Sequence, residues 1–283
     1  MVCFMLPPAC GRAESIDTEH VYAFMIGTDV GELGEREFQS ETTGRFSKDL
    51  GSYQAVGEQL ELEFVPIGNF RIEIGTTLAA HNIDGVPDFV DRSQIAWQGA
   101  SLDLRYKFLN RETAPFGLTL AIETRGDRID ETTAARIGGV GTDVTLAAER
   151  QIIPNVVSTI NLTYQPEWTH FADTPTEQQQ SVPGVALGVM ARLRPDFLLG
   201  GEVRYFRKYD GIGLEALAGQ ALFIGPTAYF QLSERSRVTA NWSVQAWGIW
   251  LGRTVRLILS ISNVIRQSSC SASTSRRRRP QLW

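Results

Sequence analysis

Between Arg36 and Gly248 the chain repeats one unit: apolar and polar residues alternate, a turn follows, and the alternation resumes. In Phe70–Leu78 the residues Phe70, Ile72, Ile74 and Leu78 share one face, while Arg71, Glu73, Gly75 and Thr77 share the other. The same pattern sets Leu102, Leu104, Tyr106 and Phe108 against Ser101, Asp103, Arg105 and Lys107. It recurs around Phe116–Arg125, Val185–Arg194, Leu222–Leu232 and Val238–Ala246. Side chains alternate across a sheet, so a sustained period of two predicts strands. Weaker runs cover Glu37–Phe46, Tyr53–Val65, Ser93–Ala100, Gly141–Arg150, Val156–Gln165 and Leu199–Phe206. Glu58 falls on what should be an apolar face. Eleven strands are expected between Arg36 and Gly248, with Val21–Asp29 a candidate for a further one.

The connections sort by length. Ile67–Asn69, Asn110–Pro115, Ile153–Asn155, Arg194–Asp196 and Ser233–Ser236 are short and rich in Gly, Pro, Asn, Asp and Ser, as tight turns require. Longer polar stretches come between them: Asn82–Arg92, Gly126–Gly139, Glu167–Ser181 and Lys208–Gly219. The link at Lys48–Ser52 breaks the rule by being short. Aromatic residues gather beside the short turns: Phe64, Phe70, Tyr106, Phe108, Phe116, Phe197 and Phe230. Short turns at one rim, longer loops at the other and an aromatic band predict an all-β fold, an antiparallel up-and-down transmembrane β-barrel. An even strand count returns the chain to its starting side, so about 12 strands are expected.

In such a barrel one face of each strand meets lipid and the other a polar lumen. The lumen-lining residues expected are Arg71, Asp103, Arg105, Lys107, Glu123, Arg125, Glu149, Arg192, Arg194, Glu202 and Arg204. Both signs are present, and opposed charges two residues apart, as in Asp103/Arg105 and Glu202/Arg204, are expected to pair. No ion or solute preference follows from this set alone.

Composition narrows the partners. The formal net charge is −5, which argues against nucleic acid. No apolar run approaches the ~18 residues of a spanning helix. Cys3, Cys10 and Cys270 lie outside the β-rich body, and His20, His81 and His170 are scattered, so neither a disulfide framework nor a metal motif is expected. No cofactor fingerprint, phosphate loop or nucleophile elbow occurs, and His81 and His170 are read as solvated loop residues, so no enzyme is expected. Residues 1–15 read as a signal-peptide remnant, with an apolar stretch Val2–Leu6 and small residues at Gly11 and Ala13. Lipidation at Cys10 and an untargeted disordered N-terminus are the rival readings. Residues 16–35 are then a periplasmic segment and 36–248 the barrel.

The runs Glu41–Phe46, Asn69–Ile72, Ala114–Leu120, Tyr205–Leu214 and Ala221–Thr227 carry a likeness that extends from about Glu19 to Gly248. On these residues the body resembles the porin-like outer-membrane β-barrel proteins of alphaproteobacteria. The resemblance implies a fold and a location in the outer membrane of a Gram-negative bacterium, with lipid and the barrel-assembly machinery as partners. It implies no activity and leaves the oligomeric state open. The pattern departs after Gly248, where residues 249–283 become Ser- and Arg-rich and end in Arg276–Arg279 and Trp283. This tail reads as an out-of-frame product. Val255–Val264 is therefore expected to fill the twelfth strand position poorly or not at all, and residues 265–283 to be disordered. Three functions stay open: a pore or passive channel for small polar solutes, a structural or surface-binding barrel with an occluded lumen, and a soluble periplasmic β-sandwich.

Overall fold

The computed structural model describes residues 15–48, 50–172, 176–250 and 257–267. Twelve strands run up and down in chain order: β1 Arg36–Phe46, β2 Ser52–Ile67, β3 Phe70–Asp84, β4 Arg92–Leu109, β5 Gly117–Ile129, β6 Arg136–Ile153, β7 Val156–Phe171, β8 Glu177–Arg194, β9 Phe197–Asp210, β10 Ala216–Ser233, β11 Ser236–Trp250 and β12 Leu257–Gln267. Each is antiparallel to its neighbour, and β1 pairs with β12, so the sheet closes on itself as a barrel. A closed ring leaves no strand edge with unpaired backbone groups.

Strand faces follow the period-two pattern. Leu104, Leu187 and Trp242 are exposed on the outer face, while Arg71 and Asn241 are buried on the inner one. The aromatic band lies on the outer face beside the short turns, where Phe64, Tyr106, Phe108, Phe116 and Phe230 are exposed. Two of its pairs touch: Tyr106 meets Phe108 edge-on at 4.9 Å, and Phe197 stacks on Phe230 at 4.7 Å. Glu58 points outward as its position in β2 demands, and it accepts hydrogen bonds from Ser40 Oγ at 2.5 Å and from Thr42 Oγ1. Two hydroxyls on the neighbouring strand thus make a charged position tolerable on that face.

Three expectations are corrected. Leu257–Gln267 pairs with β1 from Arg36↔Gln267 to Phe46↔Leu257, and with β11 from Ser236↔Ile265 to Val244↔Leu257. The twelfth position is filled, because this stretch, rich in Leu, Ile and Val, has the composition of a strand. The disorder expected of residues 265–283 therefore does not begin before Gln267; beyond it, and for residues 1–14, those readings lie outside the described residues. Residues 16–35 form neither a strand nor a segment outside the barrel: Ile16, Val21, Tyr22, Met25 and Val30 are buried within the ring. Finally, the strands reach into the polar stretches read as long loops, leaving upper connections of 85–91, 130–135 and 211–215. Polar strand ends show no apolar alternation, so pattern alone cuts them short.

Candidate functional site

Residues 15–35 occupy the lumen at the short-turn end without regular secondary structure. Backbone polar groups inside a protein need partners, and here inward side chains of the barrel supply them. Glu202 accepts the amide protons of Ala23 at 3.1 Å and Phe24 at 3.3 Å. Asn161 brackets Ile26, its Oδ1 accepting from the amide at 2.8 Å and its Nδ2 donating to the carbonyl at 3.0 Å. Thr119 donates to the Thr28 carbonyl and Thr239 to that of His20. Arg192 donates to Ser15 O at 2.9 Å, and Arg111 reaches Ile16 O and Asp29. Glu149 is a hub, accepting from Thr18, Thr28, Thr159 and Arg111. An apolar patch adds to this: Ile16, Val21, Tyr22 and Met25 pack with Val157, Ala186, Met190, Leu198 and Tyr229. The wall is shaped for its occupant. A Cβ on Gly188 would stand 2.4 Å from Tyr22 Cε1, and one on Gly117 would stand 2.3 Å from Thr28 Oγ1.

Where the segment leads into β1, charged groups converge. His20 Nε2 lies 3.0 Å from Glu37 and 3.5 Å from Glu63. Arg71 reaches Glu19 at 3.3 Å, Glu63 at 3.1 Å and Glu73 at 2.9 Å. Arg237 contacts Glu37, Glu19 at 3.4 Å and Asp17 at 3.6 Å. Breaking a buried pair of this kind by removing one partner costs about 3–5 kcal/mol, because the other charge is stranded.

Strand register produces a second feature. Glu37 stands opposite Glu63, Glu63 opposite Glu73, Glu73 opposite Asp103, Asp103 opposite Glu123 and Glu123 opposite Asp143. A row of carboxylates thus crosses the inner wall from β1 to β6. Like charges directly opposite one another destabilise a sheet, and arginines offset part of the repulsion. Arg105 reaches Asp103 at 3.0 Å and Glu73 at 3.7 Å, and Arg125 reaches Asp143 at 2.8 Å.

At the other rim the β5–β6 connection, residues 130–135, folds inward toward β1–β4. His81 Nε2 lies 3.0 Å from the Glu131 carbonyl, and Tyr53 donates to the Thr132 carbonyl at 2.9 Å. Ala134 is fully buried among Tyr53, Ala55, Ile83 and Val86. Glu131 pairs with Arg45 at 3.0 Å, and that guanidinium holds its carboxyl below the usual carboxylate range.

Of the residues expected in the lumen, Arg71, Asp103, Glu149, Glu202 and Arg204 are buried on the inner face. Arg105, Lys107, Glu123, Arg125 and Arg192 are partly buried there, and Arg194 is exposed at the short-turn rim. Asp103 and Arg105 pair. Glu202 and Arg204 do not: Arg204 stacks over Phe24 at 3.9 Å and donates to Ser243, while Glu202 serves the segment backbone. His81 is buried on β3 and His170 exposed on β7, so the two are not brought together. Sequence reasoning missed Glu37, Glu63, Arg111, Asn161 and Arg237, and it missed the segment they hold. The one available signal was the apolar run Val21–Ile26 set between acidic residues, which is out of place on a free tail.

A model of a family of unknown function (DUF6662) matches residues 14–255. No curated protein matches the sequence. Among solved structures, an outer membrane channel from Pseudomonas putida F1 superposes with a TM-score of 0.63 at 11% identity, covering 89% of this chain and 100% of that one. The translocator domain of the autotransporter NalP from Neisseria meningitidis gives 0.50 at 12% identity, covering 85% of this chain and 91% of that one. At such identities the likeness is one of fold: outer-membrane β-barrels.

Proposed function

The chain belongs to the family of unknown function DUF6662, and we propose that it is an outer-membrane channel for small polar solutes, cations above all, held shut by its own N-terminal segment. The observation that carries this reading is that residues 15–35 fit inside the ring. Small barrels fill their interior with their own side chains. A lumen that admits a further stretch of chain is a water-filled passage once that stretch withdraws. The apolar outer face with its aromatic band suits lipid and the headgroup boundary. The segment starts beside the short turns, where Ser15 meets Arg192, so we assign that rim to the periplasm and the other to the exterior. Export by the signal peptide read in residues 1–15, and insertion by the barrel-assembly machinery, belong to the same proposal. The preference for cations comes from the carboxylate row, since rings of Asp and Glu favour cation passage.

A second reading has its own support. The apolar patch around Tyr22 and Met190 buries the segment as a core would, which favours a permanently sealed structural barrel. Planar-bilayer recordings of the full chain and of a chain lacking residues 15–35 separate the two. Discrete conductance steps in both chains, more frequent in the shortened one and with a reversal potential in a KCl gradient displaced toward the cation limit, support the channel. Steps in the shortened chain with silence in the full chain support the sealed barrel, and silence in both overturns the channel.

A further inference from the structure

We infer that Glu19 and His20 of the N-terminal segment, with Glu37 of β1 and Glu63 of β2, form a binding site for one divalent transition-metal cation such as zinc. Binding itself stands on geometry; only its consequence for conductance rests on the channel reading above. Each of the four side chains offers a ligand atom, and these atoms lie within 4.8 Å of one another, all in buried residues. One imidazole nitrogen and three carboxylate oxygens are donors that zinc accepts.

Two further observations point to an ion. His20 Nε2 is buried between two carboxylates, 3.0 Å from Glu37 and 3.5 Å from Glu63. Glu63 Oε1 is buried with no hydrogen-bond donor among the described residues. A buried carboxylate oxygen without a donor calls for an ion or a water molecule. The charge balance runs the same way. Asp17, Glu19, Glu37, Glu63 and Glu73 gather around two guanidinium groups, those of Arg71 and Arg237, with Arg105 reaching only Glu73 at 3.7 Å. A carboxylate has room for both a guanidinium and a metal, since its two oxygens carry about four lone-pair sites. Arg71 and Arg237 would then orient the ligands from outside, as outer-shell partners do.

Two ligands come from the segment and two from the wall. The free energy of metal binding therefore adds directly to docking of the segment. The competing account is an imidazolium of His20 resting between Glu37 and Glu63 with no metal.

Isothermal titration of zinc into the metal-stripped full chain in detergent distinguishes them, with hydrogen exchange of residues 16–30 as a second readout. Saturable binding of one equivalent is expected, together with slower exchange. His20→Gln and Glu63→Gln should each weaken binding at least about tenfold, whereas His170→Ala, at the opposite rim, should not. His20 lies outside the strands, so its substitution leaves barrel formation intact and keeps the test decisive if Glu63→Gln fails to fold. Absence of saturable binding, or binding indifferent to His20→Gln, overturns the site. Binding in a chain that never conducts keeps the site and removes the channel reading; conductance without binding does the reverse.

Discussion

Thr119 and Leu120 are neighbours in β5 with opposite surroundings. Leu120 faces outward, and an arginine there should cost about 2–4 kcal/mol at the bilayer midplane. Alternation alone makes Thr119 a polar lumen position where arginine is cheap. It is instead fully buried, with its hydroxyl donating to the Thr28 carbonyl at 2.7 Å. Thr119→Arg should therefore also destabilise, by expelling the segment. In refolding titrations the Thr119→Arg penalty should vanish once residues 15–35 are deleted, while that of Leu120→Arg persists. A Thr119→Arg penalty that survives the deletion would count against contact with the segment. Gly188 gives a complementary test, because any side chain there collides with Tyr22. Gly188→Val should speed amide exchange over Tyr22–Met25 while leaving exchange in β8 as it was; unchanged exchange at Tyr22 would contradict the docking. Period two told which way each of these side chains points. It is silent on what covers an inward face, since an irregular segment has no period.

Among the elements, the existence of β1 to β11 was legible, while that of β12 and the length of the strands were not. The polar ends of β6 and β8, such as Glu177–Gln180, carry no apolar marker. The carboxylate row was illegible for a different reason. Glu37, Glu63, Glu73, Asp103, Glu123 and Asp143 lie on six strands, and only pairing register aligns them. Nor does the inward fold of residues 130–135 leave a mark in the sequence, because Tyr53, His81 and Arg45 are far away along the chain. That connection responds to pH in a defined direction. Arg45 depresses the Glu131 carboxyl, so the pair stabilises the folded loop above the ordinary carboxylate range, and the contribution is lost as pH falls through the lower folded value. The pair is partly exposed, so the effect is modest. Limited proteolysis at residues 130–135 should rise in mild acid and, at neutral pH, in Arg45→Ala. Acid-insensitive cleavage in the parent chain would show that other contacts hold the loop.

For the molecule as a whole, closure is the decisive property, and it depends on the stretch whose composition looked least like the rest. Removing β12 leaves the facing edges of β1 and β11 unpaired, and each unsatisfied backbone group in lipid costs several kcal/mol. A chain ending at Trp250 should lose the heat-modifiable mobility on gels that marks a folded barrel; retained mobility would mean that β1 and β11 can meet directly. The occupied lumen has a thermal consequence as well. Residues 15–35 are tied to the barrel through Arg36 at one end, and the bonds within the lumen hold them in an irregular path. Freeing backbone returns roughly 1–2 kcal/mol per residue at 25 °C as entropy. Against that gain stand hydrogen bonds, ion pairs and one small apolar patch, so release is a melting transition of a local segment inside a wall that stays intact. Its midpoint should fall well below that of the barrel, and between the two midpoints the molecule would behave as a thermometer.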